Sequence, residues 1–83
     1  MDIEDGTMYY TVLIGNMKVR IKKTVMVEVE KTKLNEVWDK QLSRWDELNV
    51  ATMDVQGKFA YLTTTDGDVY LSVPVESFEV VQQ

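Results

Sequence analysis

The chain has 83 residues, 45% of them apolar and 28% charged, with fourteen acids against nine bases and a net charge of −5. One domain's length with ordinary globular composition excludes both a second core and wholesale disorder. The absence of histidine and cysteine removes disulfides, the soft zinc ligands, the commonest general base and the thiol nucleophile.

Residues 1–6 read as a loose acidic lead-in. Met1-Asp2-Ile3-Glu4-Asp5 has no apolar core of the kind that marks a signal peptide. No apolar run reaches the ~20 residues needed to span a bilayer. The expected setting is cytoplasmic.

Next come two alternating segments, 8–14 and 17–23, separated by Gly15-Asn16. Gly-Asn suits a two-residue type II′ turn, because glycine takes the positive φ that the first position requires. The resulting hairpin pairs Ile14 with Met17, Val12 with Val19 and Tyr10 with Ile21 on an apolar face. Its other face carries Lys18, Arg20 and Lys22 as a basic strip, with Tyr9 opposite Lys22. Alternation continues through Val25, Val27 and Val29, and a break near Lys23-Thr24 keeps the strand to an ordinary length.

Between Thr32 and Asn49 the period changes. Leu34, Val37, Trp38, Leu42, Trp45 and Leu48 recur at helical spacing and predict one buried stripe of an amphipathic helix. Thr32 or Asn35 can cap its start, and Glu36 precedes Lys40 in the favourable order.

Strand patterns return at Val50–Val55, Lys58–Thr65 and Val69–Val73, punctuated by Gln56-Gly57 and Asp66-Gly67. Asp-Gly predicts a type I′ hairpin that opposes Leu62 to Leu71 and Ala60 to Val73. Phe59, Tyr61 and Tyr70 then share the opposite face. Pro74 ends this strand, and Phe78–Val81 forms a short last one. The expected order is ββ(β)-α-βββ. That is an α+β, β-rich single domain in which one α-helix covers a small twisted antiparallel sheet or open barrel. The tight turn, Pro-containing segment and closing strand of Asp66–Val81 resemble the end of SH3-like and Sm-like small barrels.

No catalytic constellation emerges. Ser43, Ser72 and Ser77 lack a nucleophile-elbow context, and the four glycines are too scattered for a phosphate loop. Asp66 and Asp68 bracket a turn glycine, which accounts for both. The chain therefore reads as a non-enzyme that needs no metal or cofactor.

Two binding readings follow. Phe59-Ala60-Tyr61-Leu62 resembles the aromatic centre of the RRM signature, which implies base stacking on an SH3-like or Sm-like nucleic-acid-binding barrel. The acidic balance weighs against phosphate neutralisation. The leading reading is a protein-binding module, a small regulator or inhibitor of a larger macromolecule, able also to self-associate. In size and acidity it is similar to many small phage-encoded inhibitors, which would make it viral. The candidate partner-binding residues are Tyr9, Arg20, Lys22, Phe59, Tyr61 and Tyr70. Charge is segregated along the chain, with a basic middle from Lys18 to Arg44 between acidic ends.

Overall fold

The computed structural model describes residues 10–82. Among these residues seven strands form one antiparallel sheet: β1 (Tyr10–Ile21), β2 (Val25–Lys31), β3 (Glu36–Leu42), β4 (Glu47–Gln56), β5 (Phe59–Thr64), β6 (Asp68–Pro74) and β7 (Phe78–Gln82). A 3-10 turn at Val75–Ser77 joins the last two. The strand order is β3-β2-β6-β5-β4-β1-β7.

Among the described residues no α-helix covers this sheet, which overturns the α+β expectation. Residues 32–49 instead form a turn, the whole of β3 and the start of β4. Thr32–Asn35 close the β2–β3 hairpin, with the Leu34 N–H donating to the Lys31 carbonyl at 2.9 Å. Asn35 adopts φ 55°, a left-handed conformation that asparagine tolerates. β3 then pairs with β2 without interruption, from Lys31↔Glu36 to Val25↔Leu42. The helical period fails because it assumes that every apolar position faces the core. Leu42 does, but Leu34, Val37, Trp38 and Trp45 are all more than half exposed.

The core is made by the sheet curling on itself. Val19, Ile21, Leu42, Val50, Ala60, Leu62 and Val73 are fully buried, and all seven strands contribute to one apolar cluster. A single sheet without a second layer reaches such burial only when its inner face folds onto itself. The end of β1 is drawn in by backbone bonds from Ile21 N–H to Asp46 (2.8 Å), Trp45 N–H to Ile21 (2.7 Å) and Lys22 N–H to Ser77 (2.7 Å). Ser77, itself buried, donates its hydroxyl to the Pro74 carbonyl at 2.7 Å. That bond fastens the 3-10 turn.

The first hairpin is also corrected. Residues 10–21 run as one strand, and Gly15-Asn16 form a bulge in it. Ile14 lies opposite Thr52 and Met17 opposite Val50, so β1 holds an extra residue there. Gly15, at φ 135°, still supplies the backbone freedom that only glycine offers cheaply. Because the strand continues, Leu13, Met17, Val19 and Ile21 face the core, while Val12, Ile14, Lys18 and Arg20 face outward. The break expected near Lys23-Thr24 is present, with β1 ending at Ile21 and β2 starting at Val25.

A second bulge revises the β5–β6 hairpin. Ala60 lies opposite Val73 as expected, but Leu62 lies opposite Tyr70 rather than Leu71. Ser72, at φ 50°, absorbs the extra residue. The turn has three residues, Thr65-Asp66-Gly67, where two were expected. The phase change sends Tyr70 inward, where it is buried beside Leu62 and Val29.

Candidate functional site

The outer face of β1, β4 and β5 carries three of the exposed apolar side chains, Val12, Ile14 and Phe59. Register places Val12 opposite Asp54 and Asp54 opposite Tyr61, while Ile14 lies opposite Thr52 and Thr52 opposite Thr63. Phe59 lies opposite Gln56 on β4 and Pro74 on β6. Ile14 is 82% exposed, Phe59 48% and Val12 41%. Tyr61 is half-buried between them. Alternation with the buried Ala60 and Leu62 sends Phe59 and Tyr61 outward.

At the Phe59 end this face runs into a groove of ≈ 420 Å³ lined by Lys58, Phe59, Pro74, Val75 and Glu76. The Val75 N–H donates to the Lys58 carbonyl at 2.9 Å and ties the two walls together. An aromatic and a proline form its apolar surface, and charges of both signs stand at its rim. A smaller cavity, ≈ 340 Å³, lies at the β1 bulge beside Asn16, Lys18, Asn49, Thr65 and Gln82. Among the described residues that line it, Lys18 alone is charged.

The opposite half of β1 is charged and internally paired. Arg20 lies directly between Glu47 on β4 and Glu79 on β7, at 3.5 and 3.6 Å, and Lys18 reaches Glu47 at 3.9 Å. Lys23 meets Glu76 at 3.8 Å, and Lys31 meets Asp68 at 2.8 Å. The basic middle of the chain is thus answered by its acidic end. The segregation seen in the sequence becomes intramolecular complementarity. Asp68, bound to Lys31, also has its own N–H held by the Thr64 hydroxyl at 3.2 Å, so it serves the turn.

The sequence candidates are therefore dispersed. Phe59 and Tyr61 share the outer face. Arg20 faces outward at its far, ion-paired end, and Lys22 is exposed just beyond β1. Tyr70 is buried, where loss of hydration raises its phenol pKa above the ordinary 10.0. Tyr9 lies outside the described residues. Val12 and Ile14 were missed because a turn at Gly15 would have put them in the core. Their parity with Lys18 and Arg20 was the available signal, since a strand running through the glycine keeps all four on one face.

Trp38 was also misplaced. It stands opposite the buried Val29 near the end of the β2–β3 hairpin, half exposed, with its indole N–H donating to Glu36 at 2.9 Å. The Lys31 ammonium lies 5.5 Å from its ring centroid. Trp45, in the β3–β4 turn, carries the Arg44 guanidinium 4.6 Å from its ring centroid. No family model, curated protein or solved structure matches the chain.

Proposed function

We propose that the chain is a non-enzymatic protein-binding module that acts on a larger partner by occupying part of its surface. The observation that carries this reading is the apolar outer face formed by Val12, Ile14, Phe59 and Tyr61. Exposed aromatic and aliphatic side chains on a rigid sheet supply anchors at low entropic cost. The Lys58–Glu76 groove beside Phe59 offers a recess for one partner side chain. The charged half of β1 sets orientation and encounter rate more than affinity.

The nucleic-acid reading has less support. Arg20 is already engaged by two carboxylates, and Tyr70 is unavailable for stacking. Among the described residues lining the groove at the aromatic end, Lys58 is the one base. Base stacking with phosphate neutralisation requires both elements on one accessible surface.

The test is to identify the partner by affinity capture and measure association and dissociation rates for Phe59→Ala, Ile14→Thr and Arg20→Gln. The two apolar truncations should each raise the dissociation rate by about tenfold or more. Arg20→Gln should alter mainly the salt dependence of association. If both apolar substitutions are neutral, this face is not the binding surface. Salt-sensitive binding of single-stranded RNA or DNA, lost in Phe59→Ala, would replace the reading with the nucleic-acid one.

A further inference from the structure

A second surface lies away from this face. β3 is a terminal strand of the sheet, and within the described residues it pairs only with β2. Six of its seven residues, Glu36 to Gln41, are exposed. Among the described residues no strand covers its outer edge, whose backbone donors and acceptors face any strand of suitable register. β7, the other edge, is shorter, and its Phe78 is buried.

We propose that β3 is a dimerisation edge, at which two copies of the chain pair their β3 strands antiparallel about a two-fold axis through Trp38. The argument is one of register. Opposite residues of an antiparallel pair project to the same face, and neighbours along a strand alternate faces. A symmetric pair must therefore be centred on a residue, never between two. Centring on Trp38 opposes it to Trp38 of the second copy and opposes each Glu36 to Lys40 of the other chain. All of these side chains lie on one face. The remaining central pair, Val37 with Asp39, lies on the other.

The charges select this centre over its neighbours. Centring on Asp39 or on Lys40 sets a charge against its own copy, which is unfavourable directly across a ladder. Centring on Val37 opposes Glu36 to Trp38 and Lys40 to Leu34, and forms no charge pair. Only the Trp38 register of these four joins opposite charges twice without opposing like ones. Within the chain, Lys40, like Lys22, Lys33, Arg44 and Lys58, has no ion-pair partner among the described residues, whereas Lys18, Lys23 and Lys31 each have one and Arg20 has two. Edge charges usually repel stray strands. Here their spacing about Trp38 accepts a copy of the same chain. The Trp38 rings, half exposed and each beside a Lys31 neutralised by Asp68, would cover one another at the axis. The two sheets would then continue as one.

The experiment is sedimentation of the full chain across a concentration series, with circular dichroism to check that each variant is folded. A monomer–dimer equilibrium is expected. Lys40→Glu should weaken it by about tenfold or more, because both attractive pairs become repulsive. Combining Glu36→Lys with Lys40→Glu should restore it, since the charges merely exchange places. The chain has no cysteine, so single substitutions also report the register by oxidation. Trp38→Cys should cross-link to itself. Glu36→Cys and Lys40→Cys should cross-link when mixed but not separately. A chain that stays monomeric at millimolar concentration overturns the proposal. So does a dimer indifferent to the Lys40 charge, or self-cross-linking at position 40 but not at 38. Phe59→Ala and Ile14→Thr should leave the dimer intact, so loss of self-pairing and loss of partner binding are read on separate variants.

Discussion

The body of the sheet and the outer part of the β2–β3 hairpin use the same backbone geometry to opposite ends. In β5 and β6, Ala60, Leu62 and Val73 are fully buried, and their neighbours face out. In β3, both faces are exposed until Leu42. Strand pairing alone therefore does not make a core. It requires a facing surface, and the curl of the sheet provides one for the body and none for the end of the hairpin. Apolar residues on the inner face of the body are structural, whereas those on its outer face and on the hairpin are free to serve recognition.

The sharpest way to break this contrast is by truncation. Leu62→Ala should cost ~2–5 kcal/mol in chemical denaturation, because it empties a closed site. Leu34→Ala and Val37→Ala should each stay within ~0.5 kcal/mol, as surface substitutions do. Trp38→Ala belongs with them in the monomer. Comparable losses in both regions would show that the hairpin is packed after all.

The β1 bulge comes next. Gly15 holds φ 135° with no atom near the position a Cβ would take. Gly15→Val should then cost ~1–3 kcal/mol through backbone strain alone. An unchanged midpoint would mean that the strand can pass this point in an ordinary conformation.

A smaller effect belongs to the seam where β2 joins β6, and it is confined to alkaline pH. The hydrogen bond that Lys31 donates to the Asp68 carboxylate raises the Lys31 pKa above its ordinary 10.5, and burial raises that of Tyr70 above 10.0. Above about pH 10 the native state therefore holds more protons than the unfolded chain, so stability falls as pH rises. The Lys31 contribution is present at neutral pH and is lost through its raised pKa. The Tyr70 penalty appears only above 10.0. Denaturation midpoints from pH 8 to 11 should decline less in Tyr70→Phe than in the parent, and equal declines would remove Tyr70 from the account.

Smallest of all is Arg20→Gln. Its side chain and both partner carboxylates are about two-fifths exposed, and such pairs contribute at most about 1 kcal/mol. A larger loss would make the Glu79–Arg20–Glu47 row a structural clamp on β1.

The body was legible because alternation, turn residues and burial coincide there. Gly57 and Gly67 both adopt positive φ at hairpin turns, and the strands expected around them are β4, β5 and β6. Val27 and Val29 likewise alternate inward as expected. Tyr70 was misassigned because one serine at φ 50° reverses the phase of β6, and serine carries no such mark in a sequence. Residues 34–45 were misread for a different reason. Periodicity locates a buried face, and these apolar side chains are mostly on the surface, so their spacing reflected no packing. Within the candidate site, Phe59 and Tyr61 follow from the alternation of Ala60 and Leu62. Val12 and Ile14 required knowing that Gly15 bends a strand without ending it.

The position of β1 bears on how the molecule assembles in time. Its two neighbours in the sheet are β4 and β7, so Ile21 must find Phe78 across most of the chain. β2 likewise waits for β6, while β4, β5 and β6 can form as a local meander. Closing such long loops precedes the reward of the contacts they bring, which places folding in the millisecond-to-second range characteristic of sheet proteins rather than the microsecond range of helical ones. A chain synthesised from its first residue completes β1 early, yet leaves one edge of that strand bare until its last partner is made.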